Sequence, residues 1–235
     1  MDVDAEIERT VAPHHWLGVD VLVPIKRFNE ALVEMRRAEE LDPLSLIIGT
    51  NLGDTFLYMR RYDEAIAQYK RSLSLEPNFQ IAHFNLGWIF HAKGMYREAI
   101  TEYRKGLDLS YDPVVNGYLA LSLAKSGQRD EATKLLNQLK QESAERYVQN
   151  YTIAIAYIGL NEKEEAFVWL EKDVAEHSSN PVSMPLTRQA AFISLSLQRQ
   201  GNKSADYWQR IKRAGNFERA TCPTRKRYYA LCRVD

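Results

Sequence analysis

Five histidines are the side chains of this sequence best suited to metal binding or general acid–base chemistry. His14 and His15 are adjacent, so on a helix they point about 100° apart and cannot share one metal ion. His83 and His91 lie eight residues apart, and no acid or cysteine stands between them at metal-ligand spacing. His177 begins a predicted loop. The histidine pattern therefore predicts no metal site and no bound cofactor.

Catalytic motifs built from other residue types are absent from the sequence as well. It holds no phosphate-binding glycine loop, nucleophile elbow, His-Glu-x-x-His motif or kinase signature. Acidic pairs such as Glu39–Glu40 and Glu164–Glu165 occur in amphipathic stretches with Lys or Arg nearby, which is typical of a solvated helix face. We therefore predict that the protein is not an enzyme.

Cysteine content and hydropathy indicate the compartment. Cys222 and Cys232 have nine residues between them and no neighbouring Cys or His to complete a zinc set, so we interpret them as free thiols. Residues 1–10 lack the apolar segment of a secretory signal. No apolar run approaches the roughly 18 residues of a membrane span. These features predict a cytoplasmic protein that does not bind membranes.

The balanced total of 31 basic and 31 acidic residues conceals an uneven distribution. Residues 210–235 carry a net charge of +6, whereas the rest of the chain carries −6. A basic tail can contact nucleic acid or an acidic surface. A tail of this kind is more often simply solvated, so nucleic acid is not the favoured partner.

The strongest pattern in the sequence is an internal repeat with a period of 34 residues. The same residue recurs at this offset after each of Asn51, Leu52, Gly53, Phe56, Tyr62, Glu64, Ala65, Ile66 and Tyr69. A small glycine on one predicted helix and a small alanine on the next allow two backbones to approach closely. One helix pair cannot bury this much apolar surface alone, so the copies are expected to stack and share a core.

The period and these positions resemble those of tetratricopeptide repeat proteins. The resemblance implies an all-α fold, a right-handed superhelical solenoid of antiparallel helix pairs, in which the first helix of each pair lines a concave face. It also implies a non-catalytic scaffold or adaptor that binds a peptide or a helical segment of another protein along that face.

The repeat frame divides the chain into segments, because prolines close repeats and glycines mark the turns within them. We predict a lead-in helix, or the remnant of a preceding repeat, at 1–11; five repeats at 12–45, 46–79, 80–112, 113–146 and 147–180; a degenerate capping helix pair at 181–213; and a basic irregular tail at 214–235. Pro24 stands where the first helix should be ending, so that helix is expected to be short or bent.

Two stretches, residues 27–45 and 159–172, resemble the repeat arrays that bacteria append to winged-helix regulators, adenylate cyclases or serine/threonine kinases. The resemblance implies either a freestanding adaptor or a detached regulatory or sensor module of such a protein. A third possibility is a structural solenoid that associates with a second copy of itself through an open apolar end.

The third copy carries the most promising binding residues. Ile81, Phe84, Trp88 and His91 are spaced i, i+3, i+7 and i+10, which places them on one stripe of the first helix. Aromatic residues dominate the energetics of protein interfaces, so this stripe is expected to anchor an apolar or aromatic partner segment. The alternative is that the stripe packs on the adjacent repeat.

Asparagine precedes the Leu-Gly pair in two copies, as Asn51 and Asn85. An amide offers a donor and an acceptor and can therefore pair with the backbone of a bound strand. The alternative is a hydrogen bond to a neighbouring helix. Tyr118 takes the equivalent place in the fourth copy, and with Tyr151 of the fifth it completes the predicted partner-binding set.

Chaperone-binding members of the family grip a C-terminal carboxylate with Lys and Arg on the first helices of neighbouring repeats. The corresponding stretches here are 46–58, 80–92 and 113–123, and none contains a Lys or Arg. This absence argues against such a clamp and favours a protein or peptide partner with an apolar or aromatic segment.

Overall fold

The computed structural model describes residues 11–23 and 25–177. Within these ranges the chain consists of helices joined by short turns, without a strand, and the predicted all-α fold of paired helices is confirmed. Pro24, the capping pair at 181–213 and the tail at 214–235 with both cysteines lie outside the described residues, as does most of the lead-in segment. Among the described helices none is long and apolar enough to cross a bilayer.

Ten helical elements follow one another along the described chain. They are α1 (Leu17–Leu22, with π-helical hydrogen bonding), α2 (Phe28–Leu41), α3 (Leu46–Tyr58), α4 (Tyr62–Leu75), α5 (Gln80–Ala92), α6 (Tyr96–Leu109), α7 (Pro113–Lys125), α8 (Arg129–Glu145), α9 (Asn150–Gly159) and α10 (Lys163–His177). The chain forms two compact units, Met1–Tyr111 and Asp112–Asp235. We call these the N-terminal and the C-terminal unit.

The first helix is irregular. Residues 11–16 are α-helical, but hydrogen bonding becomes π-helical over Leu17–Leu22, immediately before Pro24. On its buried face, a Cβ at Gly18 would lie 2.9 Å from Cγ of Met35 on α2. The lack of a side chain at this position therefore lets α1 and α2 approach closely.

The turns inside the five described helix pairs have the same backbone structure. The central residue of each turn has positive φ: 62° at Lys26, 60° at Arg60, 79° at Gly94, 91° at Gly127 and 62° at Asn161. In the second pair, the Arg60 N–H donates to Leu57 O and the Arg61 N–H donates to Phe56 O, both at 2.9 Å. The other four turns repeat these two bonds. This is the Schellman arrangement, which satisfies carbonyl groups at a helix end.

Glycine, tyrosine and alanine allow close packing inside the two most regular pairs. A Cβ at Gly53 would lie 2.5 Å from Tyr69 Cε1, and one at Gly87 would lie 2.6 Å from Tyr103 Cδ1. No real Cβ could occupy either position without a shift of the ring. Each tyrosine is fully buried, and the repeated alanines Ala65 and Ala99 are buried as well. The repeated small residues thus provide the space into which the tyrosines pack.

The C-terminal unit buries its first helices more completely. Every residue of α9 is buried, and so is the stretch Val115–Leu123 of α7. Asp112 caps the N-terminus of α7: its Oδ1 accepts a hydrogen bond of 2.8 Å from the Val114 N–H, and Pro113 lies in the first turn of the helix. A helix covered on all sides has no accessible stripe to offer a partner.

Candidate partner-binding face

Helix α5 has a narrow accessible stripe. Ile81 is 46% exposed, Phe84 and Trp88 are half-buried, and the spacing i, i+3, i+7 keeps all three on one side of the helix. The opposite side carries Leu86 and Ile89, which are buried in the core of the N-terminal unit. The stripe predicted from the sequence is therefore accessible at three of its four positions.

Helix α3 repeats this pattern one repeat earlier. Ile47 is 49% exposed and Tyr58 is 37% exposed, while Asn51 and Asp54 between them are half-buried. The spacing i, i+4, i+7, i+11 places the four residues on one side of α3. Ile47 precedes Ile81 by the repeat period of 34 residues. The sequence analysis did not select Ile47 or Tyr58. Counting back one 34-residue period from Ile81 would have identified Ile47.

One hydrogen bond links the two stripes: Asp54 Oδ1 on α3 accepts a 3.2 Å bond from Asn85 Nδ2 on α5. Within its own helix pair the same oxygen also accepts a 2.5 Å bond from the Tyr69 hydroxyl on α4. The neighbouring helices therefore present one joint surface, which we call the α3–α5 face. It consists of Ile47, Asn51, Tyr58, Ile81, Phe84 and Trp88.

Both predicted asparagines bond to a neighbouring helix, which was the alternative interpretation of their role. Asn85 is only 2% exposed and donates to Asp54. Asn51 is half-buried, and its Nδ2 donates to Nε2 of His15 at 2.7 Å. Only Asn51 therefore offers amide surface to a partner, because the helix that precedes α3 in the stack leaves it partly open.

Three further members of the predicted set are buried. His91 is 7% exposed, Tyr118 4% and Tyr151 7%, so their side chains offer almost no surface to a partner. His91 lies within about 20° of Phe84 around the α5 axis, so helical spacing places it on the stripe. Its ring packs at 5.1 Å from the ring of Tyr96 on α6, measured between centroids. The sequence spacing alone placed His91 on the stripe, whereas packing against α6 removes it.

Tyr118 and Tyr151 belong to the interior of the C-terminal unit. Burial raises the pKa of the Tyr151 phenol, and the nearby charged groups of Asp112 and Asp173 raise it further, so the hydroxyl stays protonated. The Tyr151 backbone N–H donates to Asp173 Oδ1 at 3.2 Å, and Asp173 is itself 3% exposed. These contacts stabilise the packing of α9 on α10.

The chemistry available on the α3–α5 face is that of apolar contact. Its large side chains are aliphatic or aromatic, and neither α3 nor α5 contains Lys or Arg. Over residues 11–23 and 25–177, no group of three or more His, Cys, Asp or Glu side chains is placed to hold a metal ion. The face therefore suits burial against another apolar surface.

Comparisons with known proteins show which family and which solved structures these helix pairs resemble. Residues 50–110 match the family model of the tetratricopeptide repeat. The crystal structure of MamA is similar over 58% of this chain and 81% of its own, at 22% identity and a TM-score of 0.52. A second structure of MamA protein covers 74% of this chain and 96% of its own, at 18% identity and a TM-score of 0.51.

A crystal structure of YrrB, described as a TPR protein with an unusual peptide-binding site, covers 80% of this chain and 90% of its own. Its sequence identity is 18% and its TM-score is 0.48. A search of curated proteins found no match.

The sequence match and the solved structures agree on the fold. The matched residues 50–110 include α4, α5, α6 and most of α3, where the 34-residue repeat is most regular. The two MamA structures have the same fold as the helix pairs described above. Residues 50–110 therefore match the tetratricopeptide repeat in sequence, and the described helix pairs share the fold of the MamA structures.

Proposed function

We propose that the protein is a non-catalytic interaction scaffold whose α3–α5 face binds an apolar or aromatic segment of another protein. The observation that carries this proposal is the exposure of Ile47 and Ile81, one repeat apart, on two helices held side by side. Contiguous exposed apolar surface of this kind commonly marks an interaction site.

Apolar burial supplies the affinity in this proposal. Ile47 and Ile81 each expose about half of their surface, so covering each by a partner contributes on the order of 1 kcal/mol. Phe84 and Trp88 lie on the same side of α5 as Ile81 and are half-buried, so the exposed part of each ring can pack against a partner side chain.

Asn51 gives the face one polar contact. Its Nδ2 donates to His15, and among the described residues no hydrogen-bond donor lies within bonding distance of its side-chain oxygen Oδ1. That oxygen can accept a bond from a backbone N–H of a bound chain whatever the sequence of that chain. Asn51 thus orients the partner, while the isoleucines and aromatic rings hold it.

Selection from a random-peptide display library on the intact protein tests the proposal. Peptides enriched in Leu, Ile, Phe or Trp are expected to bind the wild type. The double variant Ile47→Ser, Ile81→Ser should lose about tenfold or more in affinity, because two apolar contacts disappear. Isothermal titration of a selected peptide measures the change.

A matched control separates this face from general surface hydrophobicity. Val33 on α2 is 65% exposed and Leu109 at the end of α6 is 40% exposed, and neither belongs to the α3–α5 face. The double variant Val33→Ser, Leu109→Ser should bind selected peptides as the wild type does. Equal losses of affinity in both double variants would show that the α3–α5 face is not the binding site.

A cytoplasmic location, membership of a larger signalling protein and self-association stay predictions.

A further inference from the structure

Helix α9 is buried on all sides, although no helix pair follows it among the described residues. All ten of its residues are buried. Its main neighbours among the described helices are α7, α8 and α10. Helices α3 and α5 also have three main neighbours each in the N-terminal unit, and both keep an exposed stripe. Three neighbouring helices leave a first helix of this fold partly open, so the burial of α9 points to a further element that covers it.

The described contacts account for part of this burial. A Cβ at Gly117 on α7 would lie 2.8 Å from Thr152 Cγ2 on α9. A Cβ at Gly159 on α9 would lie 2.7 Å from Leu121 Cα on α7. The two glycines therefore let these helices approach closely. The opposite side of α9 faces the next position in the stack, where no described helix lies, because α10 is the last described element.

Two polar side chains at the start of α9 lack partners. Gln149 Oε1 and Asn150 Nδ2 are buried, and neither has a hydrogen-bond partner among the described residues. Asn150 is only 6% exposed. Nearly all buried polar atoms in proteins are paired, because an unpaired one is destabilising. One of these two atoms is an acceptor and the other a donor, so a passing backbone can pair with both.

The chain leaves α10 beside these two side chains. Asp173, near the end of α10, accepts a 3.2 Å hydrogen bond from the N–H of Tyr151, in the first turn of α9. The end of α10 therefore lies next to the start of α9. Helix α10 ends at His177, and the C-terminal unit continues beyond it. The residues that follow His177 thus begin close to Gln149 and Asn150.

The sequence after His177 is suited to covering α9. Residues 178–181 read Ser-Ser-Asn-Pro, which predicts a turn. One side of the helix predicted next is apolar and consists of Leu186, Ala190, Ile193 and Leu197. The nine positions from His177 to Leu186 span up to about 30 Å when extended, so the chain can turn back onto α9.

We propose that residues 178–197 cover the open side of α9 in the same chain. The backbone of residues 178–181 pairs with Gln149 and Asn150, and the apolar side of residues 186–197 packs on the helix. The occupant belongs to the same chain because the unpaired atoms lie where α10 ends. This inference goes beyond the proposed function and does not rest on it. It closes α9 to partners, whereas α3 and α5 stay open.

A cysteine pair in the full chain tests the position of the turn. The pair Gln149→Cys, Ser179→Cys is made together with Cys222→Ser and Cys232→Ser. It should form a disulfide on mild oxidation, because a disulfide requires Cα atoms within about 7 Å of each other. The control pair Gln138→Cys, Ser179→Cys has its first cysteine at an exposed position of α8 and should stay reduced. Non-reducing electrophoresis and mass spectrometry detect the bond.

The connectivity of the bond decides between occupants. A disulfide within one chain is the expected result. A disulfide between two chains would assign the segment to a second copy and overturn the proposal. A test pair that stays reduced, or that oxidises no faster than the control pair, would overturn it as well.

Hydrogen exchange of the full chain tests the apolar packing. Ile193→Asp places a charge on the apolar side of the segment and should speed amide exchange in α9 about tenfold, with exchange in α3 and α5 unchanged. Gln198→Asp introduces the same side chain about 140° around the predicted helix and should leave exchange as in the wild type. Unchanged exchange in α9, or equal acceleration in both variants, would overturn the packing.

A milder substitution covers the case in which Ile193→Asp unfolds the whole protein, which faster exchange in α3 and α5 would reveal. Ile193→Ala removes apolar atoms without adding a charge, so it should speed exchange in α9 alone. Exchange in α9 equal to that of the wild type would overturn the packing in this variant too.

Discussion

Asn51 and Asn85 occupy equivalent positions in two repeats, yet their surroundings give them different roles. Asn85 donates to Asp54, a residue of the preceding first helix, and is buried. Asn51 meets His15 instead and keeps part of its amide accessible. The sequence identified both as polar residues on a helix face, because that depends on helical spacing alone. Which of them a partner can reach depends on the preceding repeat, whose sequence is degenerate.

His83 has a structural role, although an imidazole could in principle bind a metal ion or act as an acid or base. It is 7% exposed, its Nδ1 lies 2.7 Å from Glu102 Oε2, and its Nε2 lies 3.1 Å from Pro77 O. Because the carbonyl oxygen can only accept, Nε2 donates to it. The imidazole thereby joins α5, α6 and the connection between repeats. The sequence spacing excluded a metal site at His83 but could not identify these partners.

Replacing His83 by Ala should lower the free energy of unfolding by about 1 to 3 kcal/mol, because two hydrogen bonds of a buried ring are lost. Lys105 serves as the comparison. Its Nζ lies 2.8 Å from Glu102 Oε1 and its side chain is 53% exposed, so Lys105→Ala should cost less than about 1 kcal/mol. Urea unfolding followed by circular dichroism measures both. Equal losses in the two variants would contradict the assigned role of His83.

At the scale of elements, the helix pairs follow from local sequence. Helices α3 and α4 lie within the predicted repeat 46–79; Ser45 caps the first helix, and Glu76–Pro77 follows the second. The accessibility of each helix follows from neighbours instead. Helices α5 and α9 are both first helices of a pair, but α5 keeps an exposed stripe and α9 is buried on every side. Their own sequences, both strongly apolar, did not distinguish the two environments.

Helix pairing can be tested through the repeated glycine. Gly87→Leu should lower the free energy of unfolding by about 1 to 3 kcal/mol, since its Cβ would lie 2.6 Å from the ring of the buried Tyr103. Thermal unfolding measures the loss. The control Ala67→Leu adds a leucine at an exposed position of α4 and should change stability by no more than about 0.5 kcal/mol. An unchanged unfolding midpoint for Gly87→Leu would argue against the close approach of α5 and α6.

At the scale of the whole molecule, the charge balance has a measurable effect. The formal net charge at pH 7 is zero, with 31 bases and 31 acids. Molecules without net charge repel one another least, so we expect solubility to be lowest near pH 7 and to rise on either side. Precipitation by polyethylene glycol across a pH series measures this. Solubility that changes steadily in one direction through pH 7 would contradict the expectation.

The sequence by itself determined that the chain is built from paired helices. A small residue, an aromatic residue and a turn residue recur every 34 positions, and the contacts they make lie within a pair and are therefore local in the chain. Only the tertiary structure decided which surface stays accessible. Ile47 and Ile81 lie on one face, because stacking brings together residues a full repeat apart. Tertiary packing also buries His91, Tyr118 and Tyr151, which the sequence had placed in the partner-binding set.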